Sequence, residues 1–195
     1  FAIIGYFSAD QYGFAWDEYV QREIGEVCWN CIFDGNNYFY EYPARDHGAI
    51  FEMFLLAIEK LCGVIHTKDI YTLRHFVTHL FFLFCSYYFY RLILLLYKDK
   101  TIAIIGLLFL ILNPTIYGHS FFNSKDVPFL AMSIVCFYQF SLAFRDKKYY
   151  QFILLGLFLS VMINIRLMGI LFFLFVFGFL LLDLSLQRKD KVLLK

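Results

Sequence analysis

The sequence contains little that would interrupt a helix and little charge. Among its 195 residues there are 3 prolines and 11 glycines, and charged residues make up 17%. A soluble domain is usually about a quarter charged and about half apolar, whereas this chain is 61% hydrophobic with a mean hydropathy of +0.64. This composition excludes a soluble globular domain and a disordered chain. A net charge of +1 gives no general attraction for polyanions, so no nucleic-acid partner is expected.

The sequence also lacks the paired motifs of metal and redox sites. Of its five cysteines, Cys62, Cys85 and Cys136 stand alone in apolar surroundings and are interpreted as small hydrophobic residues. Cys28 and Cys31 form a C-x-x-C, but the second pair or the spaced histidines that a zinc site requires do not follow. A pair on one helix face is the favoured interpretation, and redox or metal chemistry is the alternative. We assign no cofactor and no metal.

Acidic residues are concentrated in the first third of the chain. Residues 10–69 contain eleven acidic and four basic side chains, a net charge of −7, whereas the remainder contains thirteen basic and five acidic ones, a net charge of +8. In a membrane protein such an asymmetry indicates sidedness. We therefore predict that residues 10–69 form an extracytoplasmic acidic loop.

Four apolar runs follow residue 69 and predict membrane helices, the fourth of them interrupted by Asn164 and Arg166. The first is about 42 Å long at 1.5 Å per residue, enough to cross a bilayer core of about 30 Å. Residues 1–9 are interpreted as the end of a truncated first membrane helix. The predicted fold class is all-α, a polytopic transmembrane helical bundle with an extracytoplasmic first loop. The predicted helices of this bundle, residues 70–195, are 70–97, 101–113, 127–144, 150–163 and 168–183.

The run from Tyr150 to Asp183 is compatible with one long helix or with a hairpin. Three short basic segments, Lys98–Lys100, Arg145–Lys148 and Gln187–Lys195, should all be cytoplasmic under the positive-inside rule. This requires two crossings between the second and third segments. A hairpin that turns near Asn164–Gly169 is therefore favoured, and it also keeps a charge out of the bilayer centre.

Two of the predicted helices are shorter than the bilayer core. Residues 101–113 and 150–163 reach only about 20 Å and 21 Å. Their connections, Pro114–Asp126 and Asn164–Arg166, would then lie below the outer surface. Irregular backbone at that depth is tolerated only beside protein or a water-filled cavity. The sequence therefore predicts an outward-opening recess.

The acidic loop is predicted to contain amphipathic interfacial helices. Asp17–Glu26 has helical spacing, with Arg22 four residues from an acid on either side. Asp46 is placed to cap a helix over Gly48–Cys62, whose apolar face lies opposite Glu52 and Glu59.

Asp17 and Glu18 are the first candidates for chemistry. Two adjacent carboxylates at a membrane–water boundary provide a general base and a hydrogen-bond acceptor. The alternative is a solvated helix start, because acids favour the first turn of a helix.

Pro114–Phe129 carries the second set of candidates, which are His119, Asn123, Lys125 and Asp126. Ionisable groups at membrane depth are functional candidates by default. The alternative is a loop in which Asp126 caps the next helix and pairs with Lys125.

Arginine and histidine side chains near the outer surface complete the candidates. Arg166, in the hairpin turn, has two interpretations. It binds an anion, since a guanidinium can donate two parallel hydrogen bonds to a phosphate, or it anchors the turn by extending its charged end to the membrane surface. Arg74 is interpreted as an interface anchor, and His79, one turn deeper, is placed to face the recess.

At these residues the sequence resembles a known superfamily. Trp16-Asp17-Glu18 with Gln21-Arg22, soon after a membrane helix, resembles the first loop of the GT-C glycosyltransferases. The segment from Pro114 to Phe129, with GHSFFNSKDVPF at its end, is similar to the second loop of the protein O-mannosyltransferase-like, phospholipid-carrier-dependent branch. The break with Arg166 is similar to that branch too. The chain would correspond to the N-terminal part of such an enzyme.

The resemblance implies an integral, multi-pass membrane glycosyltransferase. It would move a sugar from a polyprenyl-phosphate donor to an extracytoplasmic protein, lipid or glycan acceptor. Asp17 matches the catalytic acid of the family and Glu18 its neighbour. Divalent metal use varies among relatives, so none is assigned. The leaving phosphate would be held by Lys125, Arg166 and His119, with support from Asp126, Asn123 and Asp46.

Two other classes of function remain alternatives. A transporter or lipid flippase would also place charges in an outward-facing cavity, and a non-catalytic scaffold would use the acidic loop only to bind partners. For the enzyme, a bacterial inner membrane is favoured over the endoplasmic reticulum.

Overall fold

The protein is built from α-helices. The computed structural model describes the backbone of residues 1–193 and the side chains of residues 1–186, and this part contains no strand. The prediction of an all-α polytopic bundle is confirmed. The basic segment predicted over Gln187–Lys195 lies outside the described side chains. The helices are α1 (Ala2–Ala9), α2 (Glu18–Phe33), α3 (Ile50–Cys62), α4 (Thr67–Tyr97), α5 (Lys100–Ile111), α6 (Pro114–Phe122), α7 (Asp126–Asp146), α8 (Tyr149–Ile165) and α9 (Gly169–Leu193), with a 3₁₀ turn at Asn37–Tyr40.

Three of these helices are long and apolar enough to cross a membrane. They are α4, α7 and α9, the last over Gly169–Leu186. Helices α5 and α6 qualify together as a fourth span, bent by 59° at their junction. Helix α8 is apolar but has only 17 residues, about 25 Å at 1.5 Å per residue.

Helix α4 is the centre of the bundle. It packs against α1, α5, α6 and α7, and α7 in turn packs against α8. Small side chains mark these contacts, since Ser86, Ala103, Ala131 and Ala143 have no exposed surface. In a membrane, helices associate through close van der Waals packing rather than through release of water. Small residues at these positions allow the helix backbones to approach.

The connection after α5 is mostly helical rather than irregular. The Asn113 side chain accepts a hydrogen bond from the Ile116 N–H at 3.1 Å, and Pro114 occupies the first helical position. An Asn cap followed by Pro is a strong start signal, so the chain bends and re-enters a helix at once. The prediction of an irregular Pro114–Asp126 segment is therefore wrong for all but residues 123–125.

A short turn separates the last two helices. Helix α8 ends at Ile165 and α9 begins at Gly169, with Arg166 in an extended conformation between them. The start of α3 docks on this turn, because the Ile50 N–H donates to Oδ1 of Asn164 at 2.9 Å. The prediction that Asp46 caps this helix is wrong, since the amide of Asn164 takes that role.

Gly48 makes this docking possible. A Cβ atom at position 48 would lie 1.4 Å from the carbonyl oxygen of Asn164. No side chain fits there unless the turn moves. The first loop and the α8–α9 turn are thus held in direct backbone contact.

Helix α3 turns its acidic face into the protein. Glu52 and Glu59 are 2% and 3% exposed, whereas Phe54 on the apolar side is 45% exposed. A buried carboxylate needs a charged or hydrogen-bonding partner. The partners come from neighbouring helices and from the second loop, described next.

Candidate active site

The two adjacent acids of the first loop have different environments. Asp17 is exposed in the turn that begins α2, whereas Glu18 is 4% exposed. Glu18 accepts the Ala15 N–H at 2.7 Å, and its other oxygen lies 2.6 Å from Nε2 of His75. Glu18 therefore anchors the turn to α4, whereas the carboxylate of Asp17 is exposed.

Arg74 joins the two buried acids of α3. It donates to Oε1 of Glu59 at 2.7 Å and to Oε2 of Glu52, and all three side chains are at most 4% exposed. The prediction that Arg74 is an interface anchor is wrong. A guanidinium presents its donors in a planar fork, so a single Arg can bridge two carboxylates.

Arg22 extends this network to α2. It bonds Oε2 of Glu59 at 2.9 Å and pairs with Glu26 at 2.6 Å. Of the two acids four residues from Arg22, Glu26 pairs with it, whereas Glu18 bonds His75 instead. The network therefore fastens α2 and α3 onto α4.

The second loop is held from two sides. The Ser124 hydroxyl donates to Oε1 of Glu52 at 2.5 Å. Oδ1 of Asn123 accepts the Asp126 N–H at 2.7 Å and the Lys125 N–H at 3.3 Å. The cap predicted for Asp126 is thus provided by Asn123. Burial raises the pKa of Glu52, while Arg74 and the Ser124 hydroxyl oppose that shift.

Lys125 lies among the other charged candidates. Burial and then Arg166 lower the pKa of Lys125, whereas Asp126, Asp17 and Glu52 act in the opposite direction. Asp126 forms its ion pair with Nη1 of Arg166. The structure therefore brings Asp17, Lys125, Asp126 and Arg166 into one electrostatic neighbourhood, with Arg166 oriented by a carboxylate.

His119 joins this cluster only indirectly. Its Nδ1 lies 3.3 Å from Nδ2 of Asn123, which donates to Oδ2 of Asp126 at 3.1 Å. The chain of contacts thus runs from His119 through Asn123 and Asp126 to Arg166.

Two predicted residues lie elsewhere. Asp46 is exposed and makes no hydrogen bond or ion pair with any described residue. His79 is completely buried, with Nδ1 2.7 Å from the Ser120 hydroxyl and its ring stacked on Phe121 at 4.3 Å. It faces α6, so the prediction that it faces the recess is wrong. Within the described part of the chain, no three His, Cys, Asp or Glu side chains converge as a metal site requires.

The sequence matches one family model. Residues 59–195, more than half of the chain, match the model of dolichyl-phosphate-mannose-protein mannosyltransferase. The matched region contains the second loop and Arg166, and it begins after Asp17 and Glu18. No curated protein and no solved structure matched. The chain therefore belongs to the dolichyl-phosphate-mannose-protein mannosyltransferase family, integral multi-pass membrane glycosyltransferases that use a lipid-linked sugar donor.

Proposed function

We propose that the protein transfers a sugar from a polyprenyl-phosphate donor to a hydroxyl group of a protein acceptor, with inversion at the anomeric carbon. The observation that carries this proposal is the position of an exposed carboxylate, Asp17, in the same electrostatic neighbourhood as Lys125 and Arg166. Asp17 would take the proton of the attacking hydroxyl as a general base. Glu18, fixed by His75, would position Asp17 rather than react.

Lys125 and Arg166 would stabilise the leaving polyprenyl phosphate. Negative charge on that phosphate grows in the transition state, and cations held in place beforehand lower the barrier. Asp126 supports this role because it orients the guanidinium of Arg166. Burial and the nearby Arg166 lower the pKa of Lys125, and a bound phosphate would act in the opposite direction.

The reaction would take place on the extracytoplasmic face, in the outward-opening recess, and a bacterial inner membrane is favoured over the endoplasmic reticulum. The test of the function is release of free polyprenyl phosphate from a labelled sugar carrier when acceptor is added. A transporter or flippase would move the intact carrier across the membrane, and a scaffold would do neither.

Arg166→Lys is expected to lower kcat/KM for the lipid donor at least about tenfold and to leave acceptor affinity nearly unchanged, because a point charge cannot form the paired hydrogen bonds of a guanidinium. Lys125→Ala should act on the donor in the same way. Both charges would face one phosphate, so their losses should be non-additive in the double mutant.

Arg145→Lys is the matched control for this series. Arg145 also pairs with an aspartate, Asp146, but at an exposed position outside the proposed site. Steady-state kinetics for donor and acceptor would decide the matter. If Arg166→Lys changed kcat/KM for the lipid donor as little as Arg145→Lys does, the phosphate site would lie elsewhere.

A single cysteine at Asn36 is expected to react from outside with a membrane-impermeant thiol reagent, whereas one at Lys147 should react only after permeabilisation. Both positions are exposed, so a difference in labelling reports sidedness rather than burial. The five native cysteines would first be replaced. Labelling at Lys147 in intact cells would invert the proposed topology.

A further inference from the structure

A small cavity lies between α6 and the beginning of α7. Its volume is about 250 Å³. The polar side chains that line it are Thr115, His119, Asn123 and Asp126, and apolar side chains such as Ile116 and Leu130 complete the wall. The cavity is therefore amphipathic, with its polar groups belonging to the second loop and to the helix before it.

The polar groups of this cavity have unused hydrogen-bonding capacity. Among the described residues, Nε2 of His119 and the Thr115 hydroxyl have no hydrogen-bond partner. Each Asp126 oxygen accepts one bond and has a further lone pair available. Donors and acceptors thus lie beside apolar side chains, which suits a ligand that carries several hydroxyl groups on a C–H framework.

The charge of the cavity argues against an anion. Asp126 is the ionised side chain in its wall, and neither Lys125 nor Arg166 lines it. A phosphate in the cavity would meet the Asp126 carboxylate, whereas Arg166, the cation paired with that carboxylate, does not line the cavity. A neutral polyol meets no such penalty, and an isoprenoid or acyl chain would leave Nε2 of His119 and the Thr115 hydroxyl without hydrogen-bond partners.

Asp126 connects this cavity to the proposed phosphate site. One of its oxygens pairs with Arg166 and the other accepts from Asn123. In a glycosyl phosphate, a single oxygen joins the sugar to the phosphorus. A sugar site must therefore lie directly beside the cations that hold the phosphate, and the cavity does.

We infer that this cavity binds the sugar ring of the lipid-linked donor, with His119 and Asn123 bonding its hydroxyl groups and Asp126 accepting from them. The inference rests on the proposed function and assigns His119 to the sugar rather than to the phosphate. His119 then contributes to the choice of donor sugar.

The experiment compares His119→Phe, which keeps a ring without polar atoms, with His119→Gln, which keeps a polar group near the position of Nε2, the nitrogen that is free to bind a ligand. His119→Phe should raise KM for the sugar-loaded donor roughly five- to tenfold. Competitive inhibition by free polyprenyl phosphate, which has no sugar, should stay within about twofold of the wild type, since phosphate contacts are kept. His119→Gln should recover part of the loss.

The choice between donors that carry epimeric sugars gives a second readout. Discrimination between the two epimers should fall in His119→Phe, because bonds to individual hydroxyls set that preference. His47→Phe is the matched control, an exposed histidine of the first loop outside the cavity.

Three results overturn the inference. If inhibition by polyprenyl phosphate weakens together with donor binding, His119 belongs to the phosphate site. If donor KM and epimer discrimination are both unchanged, the donor sugar does not occupy this cavity. If His119→Gln is as impaired as His119→Phe, hydrogen bonding at this position is not the cause. Failure of the proposed function differs from all three, because no polyprenyl phosphate would then be released even by the wild type.

Discussion

Asp17→Asn is expected to leave the protein folded in the membrane and to lower the rate of glycosyl transfer at least about a hundredfold. Removal of a general base typically costs between about 10² and 10⁴ in rate. The fold should tolerate the change because the Asp17 side chain forms no cap bond to α2 and is exposed. Asn is also as good an N-cap residue as Asp. The measurement is single-turnover release of labelled polyprenyl phosphate.

Asp34→Asn is the matched control for this prediction. Asp34 is an exposed acid at the opposite end of α2, so loss of a negative charge near the loop is common to both variants. Near-normal turnover by Asp17→Asn would remove Asp17 from the mechanism. Glu18→Gln is expected instead to lower the stability of the fold, because it weakens the buried bond between Glu18 and His75.

Arg74→Met is expected to lower the free energy of unfolding by about 3–5 kcal/mol, the usual cost of removing one partner from a buried ion pair. Glu52 would lose its charged partner, whereas Glu59 would keep Arg22. The stability of the purified protein in detergent would be followed by Trp29 fluorescence, since Trp29 lies on α2 with the Lys60 ammonium of α3 5.1 Å from its ring.

Two further variants distinguish the effect of breaking the buried network from the effect of losing a positive charge in general. Arg91→Met removes an exposed arginine of the same helix, which bonds Tyr87, and should cost less than about 1 kcal/mol. Glu52→Gln in the Arg74→Met background should recover part of the loss, because it removes the uncompensated charge. Equal effects of Arg74→Met and Arg91→Met would contradict the role given to the network.

The sequence predicts membrane helices and a turn near Arg166 because hydrophobic run length and loop charge are local properties. That Asp17, Lys125 and Arg166 lie on one side of the membrane rests on the same local properties and stays a prediction. Sequence reasoning could not foresee that Asp126 pairs with Arg166 rather than with its neighbour Lys125. That choice depends on how α7 and the α8–α9 turn pack.

Errors arose where a polar group has a distant partner. The sequence predicts Asp46 as the cap of α3, but the hydrogen bond to the Ile50 N–H comes from Asn164, 114 residues later in the chain. Arg74 was assigned to the interface because it lies near a helix end. A usable signal was present: Glu52 and Glu59 are seven residues apart on one helix face, and two acids so placed can share one cation.

The bond between Ile50 and Asn164 sets an order for biosynthesis. At about 5–20 residues per second, the ribosome reaches Asn164 between about 6 and 23 s after Ile50. Among the partners that follow α3 in the chain, Arg74 is made first and pairs with the acids of the helix, and Ser124 is made second. The α8–α9 turn is the third, and it closes the start of the helix. In a nascent chain stalled before Asn164, the first loop therefore lacks the bond that holds it to the α8–α9 turn. Limited proteolysis of such stalled chains should cut near Gly48, and cleavage should stop once that turn has been inserted.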